Sequence, residues 1–134
     1  DYTIIRLDRA LEDAAKAAGT RRIEGTINEV PVNVGVNRAD VLPDAFIYAG
    51  KALQRRLDVR PGDVVFCRLR PADPDDVPLA DYVQRALAEA DRLAAFLRKR
   101  PSERRRLLQP IEDAARLETR RQRIVALVGS LPPG

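Results

Sequence analysis

Between residues 20 and 38, apolar and polar positions alternate with a period of two. Ile23, Gly25 and Ile27 interleave with Glu24, Thr26 and Asn28. After Asn28-Glu29-Val30, the residues Val32, Val34 and Val36 interleave with Asn33, Gly35 and Asn37. That spacing sends successive side chains to opposite faces and predicts a β-hairpin buried on one side. Gly25 and Gly35 fall mid-strand, where glycine permits a bent barrel wall or a close approach of backbones. Shorter strands are predicted over residues 2–7, 46–48 and 64–69. A helix is predicted from an Asp8 N-cap to Ala18, with Ala10, Leu11, Ala14, Ala15 and Ala18 on its apolar side and Gly19 ending it. Residues 51–57 allow one or two helical turns. Leu42-Pro43-Asp44 and the run around Pro61-Gly62 read as turns, the proline presetting φ and the glycine supplying a positive one.

The pattern changes after Pro71-Ala72-Asp73-Pro74-Asp75-Asp76, an acidic, proline-rich link that divides the chain into residues 1–72 and 73–134. Beyond it the apolar spacing is helical. Leu79, Val83, Leu87, Ala90, Leu93, Ala94 and Leu97 predict one helix over residues 78–99. Pro101 and Ser102 restart a short helix over 103–108. Pro110 opens the last one, with Ile111, Ala114, Ala115, Ile124, Leu127 and Val128 buried, Gly129 closing it and residues 131–134 as a tail. The expected fold class is α+β: a small β-barrel followed by a C-terminal bundle of about three helices.

Composition narrows the chemistry. Only 4% of residues are aromatic, so the core must be built from Leu, Val, Ile and Ala. The longest apolar run, Ile124-Val125-Ala126-Leu127-Val128, is too short for a transmembrane helix or a signal-peptide core. The single cysteine, Cys67, allows no internal disulfide, which fits a reducing, cytoplasmic compartment; its apolar neighbours predict a buried side chain. The chain has no Met, so a segment before Asp1 is expected.

There is no histidine, which removes the usual general base, the usual metal ligand and every histidine-dependent triad. Neither a structural zinc set nor a phosphate-cradling glycine motif is present, so no metal and no cofactor is expected. Asp73, Asp75 and Asp76 are spaced loosely like a hard-cation loop but lack its glycine and its distant glutamate. An enzyme built on two carboxylates would need a concave pocket holding a carboxyl of raised pKa.

Positive charge concentrates in residues 98–123, where ten basic and four acidic residues give +6 against −2 elsewhere. Of the 24 basic residues in the chain, 21 are Arg, the side chain suited to bidentate carboxylate or phosphate recognition. Arg104-Arg105-Arg106 and Arg120-Arg121-Arg123 could clamp an anion from adjacent helices. Alternatively, Glu112 and Glu118 pair with them and tack the helices together. A duplex-backbone binder would need only this basic face, whereas stacking on single strands is limited to Tyr2, Tyr48 and Tyr82.

Arg22-Ile23-Glu24-Gly25-Thr26-Ile27-Asn28, Pro31-Val32, Gly50-Lys51-Ala52-Leu53 and Pro61-Gly62-Asp63-Val64 resemble a small barrel family of unknown function. It is of the double-split β-barrel class also used by AbrB- and MazE-like proteins. The C-terminal part resembles the bacteriocin-protection family, also described as YdeI- or OmpD-associated. That likeness runs through Leu79 to Leu87, Ser102-Glu103-Arg104-Arg105, and Ile111 to Glu118-Thr119-Arg120 with Arg123-Ile124. Asn28-Glu29 stands where the barrel family often has Asn-Gly, so a different turn geometry is expected, and Pro110 also departs from the pattern; the resemblance further implies a first barrel strand, expected before Tyr2. The resemblance implies a non-enzymatic binding or protection factor for an unknown peptide, small-molecule or protein ligand. Its expected surface is the groove between barrel and helices, with Arg105, Arg120, Arg123 and Glu118 as candidate ligand-binding residues. The alternative is a nucleic-acid-binding regulator using the basic C-terminal face.

Overall fold

The computed structural model describes residues 2–134 and shows a mixed α+β chain. Two compact units divide it, residues 1–74 and 75–134.

The first unit runs β1 (Ile4–Arg6), α1 (Arg9–Ala17), β2 (Arg22–Ile27), β3 (Val30–Gly35), β4 (Phe46–Tyr48), α2 (Lys51–Leu57) and β5 (Cys67–Pro71). β1 and β4 form an antiparallel pair, and β3, β2 and β5 form an antiparallel sheet in that order. A bridge between Asn37 and Phe46 links the end of the β3 segment to β4. Ile27 pairs with Val30 across a two-residue turn whose Asn28 and Glu29 both have positive φ, 49° and 66°. Asn28-Glu29 thus keeps the conformation that Asn-Gly adopts, with Glu29 bearing the left-handed strain that glycine would not.

α1 ends where its glycine predicts. Gly19 has φ +68°, its N–H donates to the Lys16 carbonyl and the Thr20 N–H to the Ala15 carbonyl, the paired bonds of a Schellman motif. Its covered side differs from the expected alanine stripe: Ala15, Glu12 and part of Leu11 are covered, while Ala10, Ala14 and Ala18 are exposed.

β5 begins three residues later than expected. Val64, Val65, Phe66 and Cys67 are consecutive apolar residues, and a strand can send only alternate ones inward. Val64 and Phe66 are left 80% and 77% exposed. The Asn28 N–H donates to the Phe66 carbonyl, and the Asn28 Oδ1 accepts the Phe66 N–H, so the hairpin tip pairs where the strand was expected to start. Cys67 is exposed rather than buried. The unit's core is Leu7, Ile23, Ile27, Val32, Ala45, Ile47 and Leu57.

The second unit holds four helices: α3 (Asp81–Glu89), α4 (Leu93–Leu97), α5 (Pro101–Asp113) and α6 (Leu117–Gly129). The helix expected over 78–99 breaks because Asp91 adopts φ +59°, and the Asp91 and Arg92 N–H groups bond back to the carbonyls of Ala88 and Leu87. This is again a Schellman end, built on Asp instead of Gly. Pro110 does not open the last helix; it lies inside α5, and the break falls at residues 114–116. The residues expected as a tail include Leu131, which is buried with Val83, Leu87, Ala95, Phe96, Leu108, Ile111 and Leu127. Among the described residues, no helix is long and apolar enough to cross a membrane.

Candidate functional site

The four candidate residues all lie in the second unit, Arg105 on α5 and Glu118, Arg120 and Arg123 on α6. A helix leaves its last carbonyls without intrahelical donors, and a cationic donor there is doubly favourable because it also faces the negative end of the dipole. Arg120 and Arg123 take that role at the end of α5. The Arg120 Nη2 donates to the Ala114 carbonyl at 3.0 Å and the Arg123 Nη1 to the Pro110 carbonyl at 2.6 Å. Ala114, the fourth residue after Pro110, turns its own N–H to Ile111 instead, which leaves the Pro110 carbonyl for Arg123. Arg92 does the same at the Ala90 carbonyl that ends α3, at 2.8 Å, and Arg104 at the Lys99 carbonyl, at 3.1 Å. Arg105 is half-buried on α5, whereas Glu118 is exposed in the first turn of α6 and makes no hydrogen bond or ion pair among the described residues. The structure therefore ties α6 to α5 through Arg120 and Arg123. Replacing either by Ala is expected to lower stability by about 1 kcal/mol, the usual net value of one hydrogen bond, measurable by urea denaturation.

The aromatic side chains assemble elsewhere, in the first unit. In β1 the period of two places Ile4 and Arg6 on one side, the register Ile4 to Tyr48 and Arg6 to Phe46 sets Tyr48 and Phe46 beside them, and Tyr2, just before the strand, joins them. The opposite side carries Ile5, Leu7, Ile47 and Ala49 into the core. Tyr2 and Tyr48 lie with ring centroids 5.5 Å apart at 59°, and Phe46 meets Tyr48 edge-on at 5.2 Å and 87°. Phe46 is buried, but Tyr2 is 85% and Tyr48 50% exposed. The accessibility of both tyrosines is as the sequence predicts; their ring contact is not legible there, since three-residue strands carry no signal of their pairing partner.

Two further features of the first unit bear on chemistry. An open depression of about 430 Å³ is lined by Lys51, Gln54, Arg55, Asp58, Val59, Arg60 and Asp63, all from α2 and the turn after it. Glu12, buried on α1, is gripped by Arg38 through both carboxylate oxygens, the Arg38 Nη2 donating to Oε1 at 2.9 Å and the Nε to Oε2. The hydrogen bonds from Arg38 hold the Glu12 carboxyl below its ordinary value, against burial that pushes it up. A carboxyl with a depressed folded-state pKa stabilises the fold above its unfolded value, about 4.3, and loses that contribution as pH falls through the folded value. Wild-type stability is therefore expected to fall more steeply below about pH 4.3 than that of Glu12→Gln, as urea midpoints measured across pH will record. Nothing in the local pattern marked this pair, whose members lie 26 residues apart.

Cys67 is exposed, yet partial desolvation of its sulfur raises the thiol pKa, which keeps it a slow nucleophile at neutral pH. Among the described residues, no group of three or more His, Cys, Asp or Glu side chains converges as a metal site would require. Comparison with protein-family models, curated proteins and solved structures finds no match.

Proposed function

We infer that the chain is a binding protein without catalytic chemistry of its own, and that its ligand lies on the exposed face of β1 and β4. One observation carries this reading. In a chain with only three Tyr and three Phe, Tyr2, Phe46 and Tyr48 gather on one two-stranded ladder, with two of the rings open to solvent. Covering about 100 Å² of such surface contributes on the order of 2.5 kcal/mol to binding. The cellular setting we propose is the cytoplasm, in keeping with one exposed thiol and no disulfide. A protective role against antimicrobial peptides follows from the C-terminal resemblance alone.

The second reading, nucleic-acid binding by the C-terminal helices, is favoured by Arg98, Arg100, Arg116 and Arg121. They are exposed, and their side chains make no hydrogen bond or ion pair among the described residues. Backbone NMR spectra recorded against an oligothymidylate, a cationic peptide and a maltooligosaccharide separate the two readings. Shifts that begin at Tyr2, Ile4, Arg6 and Tyr48 support the aromatic face. Shifts confined to α5 and α6 support the basic helices, and no shift with any of the three contradicts a binding role on either surface.

A further inference from the structure

We propose that the aromatic face of β1 and β4 takes single-stranded nucleic acid, its bases stacking on Tyr2 and Tyr48 and a phosphate meeting Arg6. This rests on the reading of that face as the binding surface and names the ligand class.

Structural stacking alone does not account for Tyr2. A cross-strand aromatic pair stabilises a ladder by shielding its rings, but Tyr2 remains 85% exposed and contributes little covered area to the fold. Its ring and that of Tyr48 present π-surface to solvent 5.5 Å apart, with the buried Phe46 ring edge-on to Tyr48.

Charge then discriminates among ligands. Arg6 sits opposite Phe46 at one end of the row, exposed and without a hydrogen bond or ion pair among the described residues. Lys51, three residues after Tyr48, opens α2 and lines the depression with Asp58 and Asp63, so Arg6 is the cation of this face. None of Tyr2, Ile4, Arg6, Phe46 and Tyr48 is acidic. The Arg6 guanidinium repels a cationic peptide, and a neutral sugar packs on the rings but leaves that charge unmatched. An anionic chain with a flat ring on each unit satisfies both the rings and the cation. A duplex does not, because its base faces are already stacked on one another and only base edges line its grooves. Sequence-tolerant stacking beside a few phosphate contacts is how proteins hold single strands.

The chain has no Trp, so tyrosine emission is directly observable, and Tyr82→Phe leaves Tyr2 and Tyr48 as the only emitters. In that background, a twelve-nucleotide oligothymidylate is expected to quench the emission and to bind at least about 10-fold more tightly than the matching duplex. Tyr2→Ala should weaken binding about 10-fold or more, in line with the loss of one stacked base. Tyr48→Phe should preserve binding, while Tyr48→Leu, checked for folding by circular dichroism, should lose it. Arg6→Gln should reduce the slope of log affinity against log salt by about 0.7, one single-strand phosphate contact. Absence of oligothymidylate binding at about 50 mM salt overturns the proposal. If a sugar or peptide probe quenches the same tyrosines, the ligand class is wrong and the surface is right. Equal affinity for duplex and single strand, unchanged by Tyr2→Ala, overturns both.

Discussion

Gly25→Ala is expected to destabilise the first unit strongly. Gly25 has φ +138°, a conformation that side-chain-bearing residues rarely adopt, and an added Cβ would stand 2.0 Å from the Arg68 carbonyl oxygen and 3.1 Å from the Leu69 Cα. These are backbone atoms, so no rotamer change relieves the clash. Relief requires β5 to move off β2, which breaks the register from Ile23–Pro71 to Ile27–Cys67 and uncovers Ile23 and Ile27, both fully buried. Strained backbone alone costs about 1–3 kcal/mol, and loss of the strand adds to it, so a destabilisation of about 3 kcal/mol or more is expected against a typical total of roughly 5–15 kcal/mol. Gly35→Ala is the control. The nearest atom to its added Cβ is a flexible Arg22 nitrogen at 3.6 Å, and stability should change by no more than about 0.5 kcal/mol. Equilibrium urea denaturation of the two variants reads the contrast directly.

The second large effect belongs to Phe96. It is 1% exposed and sits in α4, a helix of five residues that is too short to persist by its own hydrogen bonds. α4 stays folded because Phe96 and Ala95 are packed among Val83, Leu87, Leu108, Ile111, Leu127 and Leu131. Truncating such a ring to Ala leaves a cavity and typically costs about 3–5 kcal/mol. For a unit of about 60 residues with one small core, that removes most of the available stability. Phe96→Leu, which refills most of the volume, should cost less than about 1.5 kcal/mol. Calorimetric melting distinguishes the two, the Ala variant losing the transition of the second unit and the Leu variant only lowering it.

Legibility followed the range of the interactions. The hairpin of β2 and β3 and the end of α1 at Gly19 were readable because period-two alternation and a C-terminal glycine are local signals. Asp91 ends α3 in the same geometry as Gly19 ends α1, but a lone aspartate in a helical stripe does not announce a left-handed residue, so the pattern of α3 and α4 predicts one helix. Pro110 misled in the opposite direction. Proline ordinarily opens a helix, yet Pro110 lies in the last turn of α5, and its own carbonyl, freed by the helix end at Ala114, is taken by Arg123 from α6. The apolar run 64–67 named a strand, but a run without alternation does not say which residues face inward.

The candidate site was legible only as residue types. Arginine clusters on neighbouring helices are the same in sequence whether they face a ligand or a carbonyl at a helix end. Arg120 and Arg123 chose Ala114 and Pro110 through contacts formed only once α5 and α6 pack. The aromatic face had the converse difficulty. Tyr2 and Tyr48 are single residues in strands too short to reveal their partner, and the pairing of Ile4 with Tyr48 brings them together over more than forty intervening residues.

The central claim separates two roles: rings that bind and arginines that hold helices together. It is tested most directly by measuring oligothymidylate affinity and thermal stability in parallel for a Tyr2→Ala/Tyr48→Leu variant and an Arg120→Ala/Arg123→Ala variant. The account predicts that the tyrosine variant loses affinity by at least about 10-fold. The arginine variant should melt earlier while its affinity stays within about twofold. An arginine variant that keeps its melting temperature and loses the ligand, beside a tyrosine variant that still binds, would contradict it.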